Sequence, residues 1–224
     1  VEGGGMRGVV SGAMLIALRE LGLADVFDRF YGTSSGSMNL AYFAAGGGWD
    51  ALSVYYDHLV SGFLLRRDMD YVFDEVVRYR VPLDRAKATS SAYDIRIVLS
   101  DVETARPVIV PIRAVPDRLE EYLKAGAWLP IRAGVPHVLD GRRYLDGGLL
   151  WPDPLYAALD EQVTHVLMLN TAPAGARNST SPVTARILPR AGYQTIMNQF
   201  GPRPPRAYFA VVTGPATLSA RMEP

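Results

Sequence analysis

Apolar positions spaced three and four apart alternate along this chain with short β-branched and aromatic runs, the pattern of helices interleaved with strands. Val9 to Leu23 places Val10, Met14, Ala17, Leu18 and Leu21 on one helical face, and Gly22 suits its end. Val26, Phe27, Phe30 and Tyr31 predict a strand, and Met38 to Ala45 the helix after it. Trp49 to Phe63 reads as one amphipathic helix, with Leu52, Tyr55, Tyr56, Leu59 and Phe63 on one side and Arg66 and Arg67 placed to suit its dipole. Tyr71 to Tyr79 predicts a further short helix. Ile95 to Ser100 and Pro107 to Ile112 read as strands around the turn Asp101 to Thr104. Leu119 to Leu129 reads as a helix. Val138-Leu139 and Arg143-Tyr144-Leu145 flank Asp140-Gly141, a hairpin signal. Val163 to Asn170 is apolar enough for a buried strand. Beyond it, Thr171 to Pro182 reads as a loop, Ala185 to Phe200 as a helix that Gly201 to Pro205 ends, and Tyr208 to Thr213 as a last strand.

Strands alternating with helices over 224 residues predict one α/β domain. Charge adds little: the net charge is zero, so no nucleic-acid footprint and no strong attraction to an anionic membrane is expected. The absence of cysteine removes disulfides and thiolate catalysis. No run approaches the ~20 apolar residues of a membrane-spanning helix. No signal peptide is visible, and a cytoplasmic location is expected. The abrupt start at Val1, almost on a glycine loop, suggests further residues of a first strand upstream and leaves room for a targeting segment there.

The candidate chemistry centres on Gly32-Thr33-Ser34-Ser35-Gly36, a G-x-S-x-G between predicted strand and helix. That context is a nucleophile elbow, in which the serine sits on a strained turn and the glycines let strand and helix approach closely. One βα unit earlier stands Gly3-Gly4-Gly5-Met6-Arg7-Gly8, leading into a helix N-terminus. Gly3, Gly5 and Gly8 also fit a dinucleotide fingerprint. That reading wants an acidic residue about 20 residues on, at the end of a second strand. Asp25 and Asp28 fall in range, but the second strand runs into the serine elbow. The other reading, favoured by that elbow, is an oxyanion hole of backbone N–H groups from Gly3, Gly4 and Gly5.

Glu2-Gly-Gly-Gly-Met-Arg-Gly8, Gly32-Thr-Ser-Ser-Gly36 and, after the hairpin, Asp146-Gly147-Gly148 together resemble the patatin-like phospholipases, in that family's order. Ala125 to Pro130 is similar to its small-residue segment ending in proline, and the match covers about residues 1–170. The resemblance implies a three-layer α/β/α sandwich with a mostly parallel central sheet, in a single domain over 1–224 whose part 171–224 carries no assigned role. It also implies a Ser34–Asp146 dyad in place of a triad, Asp146 taking the proton from Ser34 directly. Arg7, Gly8, Gly32, Gly36, Gly147 and Gly148 support the three motifs. A carboxylate is a weak base, so such a dyad needs a short hydrogen bond, partial desolvation and a strong oxyanion site.

The expected reaction is hydrolysis of a lipid or other carboxylic ester, at a membrane surface or not, with no metal or organic cofactor implied. Arg7 would either attract an anionic head group or pack on the sheet edge in a salt bridge. The Trp and Tyr of residues 49–63 would suit a lipid-facing lid, although a core-facing helix is favoured. Of the three histidines, His58 lies in that helix, His137 begins the hairpin and His165 alternates within an apolar strand. None follows in a catalytic loop as the α/β-hydrolase order requires. Asp101 is a rival general base at a strand end, or the residue that fixes its turn. An acyltransferase or thioesterase on the same dyad, a non-catalytic lipid-binding protein and a nucleotide-binding protein remain as alternatives.

Overall fold

A computed structural model describes residues 1–63, 68–129, 135–150, 154, 157, 163–173 and 208–214. Arg66, Arg67, Pro130 and the predicted 185–200 helix lie outside these. The first two α-helices are α1 (Gly8–Glu20) and α2 (Ser35–Ala44). Between them β1 (Arg29–Thr33) ends at the serine motif. Next come α3 (Arg85–Ser90), β2 (Asp94–Asp101), β3 (Arg106–Pro111) and α4 (Leu119–Gly126). The hairpin β4 (His137–Leu139) and β5 (Arg142–Asp146) follows, then β6 (His165–Pro173) and β7 (Tyr208–Gly214). The hairpin turn is the one its sequence requires, with Asp140 at φ 53° and Gly141 at φ 73°.

The five-stranded sheet is mixed. β2 is its centre, parallel to β1 and antiparallel to β3 and β5, with β4 antiparallel to β5. The register explains how the site assembles. On the edge of β2 away from β3, β1 pairs from Asp94 to Val98 and β5 from Leu99 to Asp101. β1 and β5 therefore meet end to end: Thr33 lies opposite Val98, and Asp146 opposite Leu99. β6 and β7 form a second, parallel pair. Val1 and Glu2 link it to β1, because Val1 O accepts from Thr33 N (3.3 Å) and Glu2 N donates to Leu169 O (2.9 Å).

The core lies on both faces of β2. Ile95, Ile97 and Leu99 join Leu40, Phe43, Leu119 and Leu123 on one face, while Val98 packs with Tyr31, Leu150 and Ala157 on the other. No helix among the described residues is long and apolar enough to cross a membrane.

Two predicted faces are corrected. α1 buries Gly8, Ser11, Gly12, Leu15 and Ile16, whereas Leu21, on the predicted face, is 70% exposed and lies past the helix end. Its neighbours approach too closely for large side chains: a Cβ on Gly12 would fall 2.5 Å from Leu52 Cδ2, and Asn39 Nδ2 donates to Gly8 O at 2.7 Å. Residues 49–63 are not one α-helix but a 3₁₀ turn (Trp49–Leu52) followed by a π-helix (Val54–Phe63). The wider winding rotates positions three and four apart off a single stripe. Leu52, Tyr55 and Leu59 stay buried, Val54 joins them, and Tyr56 is 51% exposed. The Tyr71–Arg80 helix is also π-wound.

Candidate active site

At the end of β1 the chain turns through Ser34, with φ 53° and ψ −131°, into α2. Such backbone costs a non-glycine residue on the order of 1–3 kcal/mol and persists where its surroundings enforce it. Ser34 O accepts from Ser37 N at 3.0 Å, which starts the helix. The flanking glycines are packed from both sides. A Cβ on Gly32 would lie 2.8 Å from Ser37 N, and one on Gly36 would lie 2.5 Å from Val1 O.

The glycine loop closes over the serine. A Cβ on Gly3 would fall 2.5 Å from Ser34 Cβ and 2.7 Å from Thr33 O, an approach that admits only hydrogen. Gly3 N donates to Thr33 Oγ1 at 3.3 Å. The N–H groups of Gly4 (φ 145°) and Gly5 (φ 59°) have no hydrogen-bond partner among the described residues. Gly8 opens α1 beneath the loop, where a Cβ would meet Tyr55 Oη at 2.5 Å. Arg7 is half-buried, and its Nε, without a partner among the described residues, lies beside Gly4.

Asp146 ends β5 at the point where β1 stops, 4% exposed. Its carboxylate accepts from Gly148 N (Oδ1, 2.8 Å) and faces the Ser34 side chain, which favours its charged form. Burial pushes its pKa up from 3.8 to about 6, with the Ser34 side chain and the Gly148 N–H holding it back. Its backbone N–H donates to Trp128 O at 3.0 Å. Gly147 then crosses β2 so closely that a Cβ would fall 2.0 Å from Val98 O. The serine, the acid and the glycine loop, read from three separate motifs, thus converge at one end of β1.

The patatin-like phospholipase model matches residues 1–159, a span that includes all three. The chain belongs to the patatin-like phospholipase family. Its general class is therefore the lipid acyl hydrolases, acting on lipid substrates. Among curated proteins, none matches the chain.

No histidine is among the groups that shift the Asp146 carboxyl. His137 is half-buried with its ring 4.8 Å from that of Trp128, and desolvation, then Lys124, holds its pKa below 6.5. His165 is exposed, its Nδ1 3.1 Å from Thr164 Oγ1, and His58 lies in the π-helix Val54–Phe63. Asp101 fixes its turn: Oδ1 accepts from Thr104 N at 2.9 Å, and Arg142 Nη2 lies 2.8 Å from Oδ2. A cavity of about 840 Å³ between β1 and β6 is lined by Val1, Phe27, Phe30, His165 and Leu167, and neither Ser34 nor Asp146 reaches it.

Three residues escaped the sequence reading. Glu2, 4% exposed, accepts from Thr171 N (2.6 Å), and the Thr171 hydroxyl, with one proton to give, lies between Glu2 Oε2 (3.0 Å) and Gly3 O. The glycine loop is thereby tied to β6 by a residue that reads as the start of a polar loop. A carboxylate beside three glycines was the available signal for Glu2; Thr171 had none. The third, Ser100, reads as one more position of an apolar strand.

Proposed function

We propose that this protein hydrolyses carboxylic esters of lipids through a Ser34–Asp146 dyad. The observation that carries the reading is the end-to-end meeting of β1 and β5 on β2, which sets a strained serine and a buried carboxyl side by side. Asp146 takes the Ser34 hydroxyl proton as Oγ attacks the acyl carbonyl. The oxyanion is received by the N–H groups of Gly4 and Gly5. Gly3, whose N–H faces Thr33, provides the close approach in place of a third donor. The intermediate collapses, the leaving alcohol takes the proton from Asp146, and an acyl-serine remains. Asp146 next deprotonates a water that attacks the acyl carbonyl. The acid leaves, and the proton held by Asp146 returns to Ser34.

A carboxyl with a pKa near 6 suits this work better than an ordinary one, because general-base efficiency rises as the pKa approaches the working pH. The base must be ionised to act, so kcat/KM is expected to rise with pH through about 6 and level off above it. An activity that falls as pH rises through 6 would contradict the assignment.

Hydrolysis of a short and a long p-nitrophenyl ester tests the dyad. Ser34→Ala is expected to abolish turnover and loss of the Asp146 carboxylate to lower it by at least about a hundredfold, with His137→Ala close to wild type. Loss of turnover in a folded His137→Ala protein would assign the base to histidine. Comparing products with and without an alcohol acceptor separates hydrolysis from acyl transfer. For the fold, we infer the three-layer α/β/α sandwich over one catalytic domain, with parallel strands at the serine and antiparallel ones around β3, β4 and β5 in place of the mostly parallel sheet expected. The parallel pairings of β1 with β2 and of β6 with β7, linked through Val1 and Glu2, support it.

A further inference from the structure

We propose that Ser100 is a positioning residue for the dyad: its buried hydroxyl clamps the turn that carries Asp146, and so sets the aim of the carboxylate at Ser34. This rests on the dyad reading above. Ser100 is fully buried near the end of β2, opposite Leu145 in the β2–β5 register. Its Oγ donates to Asp146 O at 2.8 Å and accepts from Leu150 N at 3.3 Å, with Gly147 O a second acceptor at 3.4 Å. A serine hydroxyl has one proton to give and two lone pairs to offer. Here the proton goes to the carbonyl of the base itself, and a lone pair takes the N–H four residues later. One side chain thus spans the whole 3₁₀ turn Gly147–Leu149 from within the sheet.

The turn needs such a clamp. Gly147 and Gly148 remove the side chains that would otherwise fix its course. Asp146 is held at its N–H by Trp128 O and at its carbonyl by Ser100, so the residue is pinned on both peptide bonds. Gly148 N, which reaches the Asp146 carboxylate, lies inside the clamped segment. Removal of the hydroxyl takes the donor from the buried Asp146 carbonyl, leaves Leu150 N–H with Gly147 O alone and lets the turn shift. A displaced base costs rate and leaves ester binding unchanged, because Ser100 touches no substrate. Looser contact with Gly148 N would also remove one of the hydrogen bonds that hold the carboxyl's pKa down, so the acid limb of the pH profile would move upward.

The experiment measures kcat, KM and the acid limb of kcat/KM for Ser100→Ala, and for Ser100→Thr against Ser100→Val, which match in size and differ in the hydroxyl. Ala and Val are expected to lower kcat by about tenfold to a hundredfold, with unchanged KM and an acid limb at higher pH. Thr is expected to stay near wild type. Ser100→Ala with wild-type kcat and acid limb, or Thr as impaired as Val, would overturn the clamp. Asp146→Asn, assayed beside them, keeps the two readings apart: an active Asp146→Asn protein sinks the dyad, whereas an inactive one with unaffected Ser100 variants sinks only the clamp.

Discussion

Asp146→Asn is expected to lose ester hydrolysis by about a hundredfold to ten-thousandfold and, at the same time, to be more stable than the wild type at pH 7. Both effects come from one cause. A carboxylate forced to ionise in a buried site is useful as a base and costly to the fold. The folded state binds the Asp146 proton more tightly than the unfolded chain does, since its pKa lies at about 6 against 3.8. Below the lower value both states are protonated and nothing is lost. As pH rises from about 4 to about 6, the unfolded chain ionises first, and stability falls. Above 6 the full penalty, about 3 kcal/mol by linkage, is in place. Asparagine never ionises and can still accept from Gly148 N, so a net gain of about 1–3 kcal/mol is expected at neutral pH. For a chain of this size that is a rise in Tm of about 2–12 °C. Thermal unfolding of both proteins at pH 4 and pH 7.5 checks it, with the difference falling to about 0.5 kcal/mol at the lower pH. An Asp146→Asn protein less stable than wild type at both values would mean that the carboxylate is a structural anchor.

Gly147→Ala is expected to destabilise the protein by more than about 4 kcal/mol, a loss in Tm of roughly 8–16 °C or outright failure to fold. The added Cβ would sit 2.0 Å from Val98 O and 2.6 Å from Val98 C. Neither atom can yield. Val98 is fully buried and is paired on both sides, with Thr33 of β1 and Ile109 of β3. The alternative is to push Asp146 and its turn off the sheet, which breaks the Ser100 contacts and separates the acid from Ser34. Gly148→Ala provides the contrast. Its Cβ would lie 3.1 Å from Asp146 Oδ1, the flexible end of a side chain, so stability is expected to change by about 1 kcal/mol while activity falls. Urea unfolding of the two variants separates them. Equal midpoints would show that β2 and the turn are looser than their packing implies.

These predictions concern residues whose placement was legible in the sequence, and the reason is backbone geometry. Ser34 with its two glycines, and Asp146 with Gly147 and Gly148, stand where the chain turns too sharply or passes too close for other residues, and short motifs record that. The glycine loop was legible for the same reason. What a motif does not record is which N–H groups remain open, and Gly3 turns out to face Thr33. Apolar periodicity located the elements well and their faces less well. In α1 it selected the large residues Val10, Met14, Leu18 and Leu21, whereas the tight contact with α2 is made by Gly8, Ser11 and Gly12. Periodicity ranks bulk, and a close helix crossing selects its absence. In residues 54–63 the π winding changes the period itself. Ser100, Glu2 and Thr171 were beyond reach because their roles lie in hydrogen bonds to partners 50 and 169 positions away in the chain.

The central claim is that a carboxylate serves the serine without help from any histidine. The chain has three histidines, so a single protein carrying His58→Ala, His137→Ala and His165→Ala contains none. The most direct measurement is the rate at which a fluorophosphonate labels Ser34 in that histidine-free protein, in wild type and in Asp146→Asn, with the fold of each checked by circular dichroism. Labelling in the histidine-free protein at a rate close to wild type, and its loss in Asp146→Asn, is the expected result. Loss of labelling in a folded histidine-free protein, with Asp146→Asn still reactive, would contradict the dyad and return the proton to an imidazole.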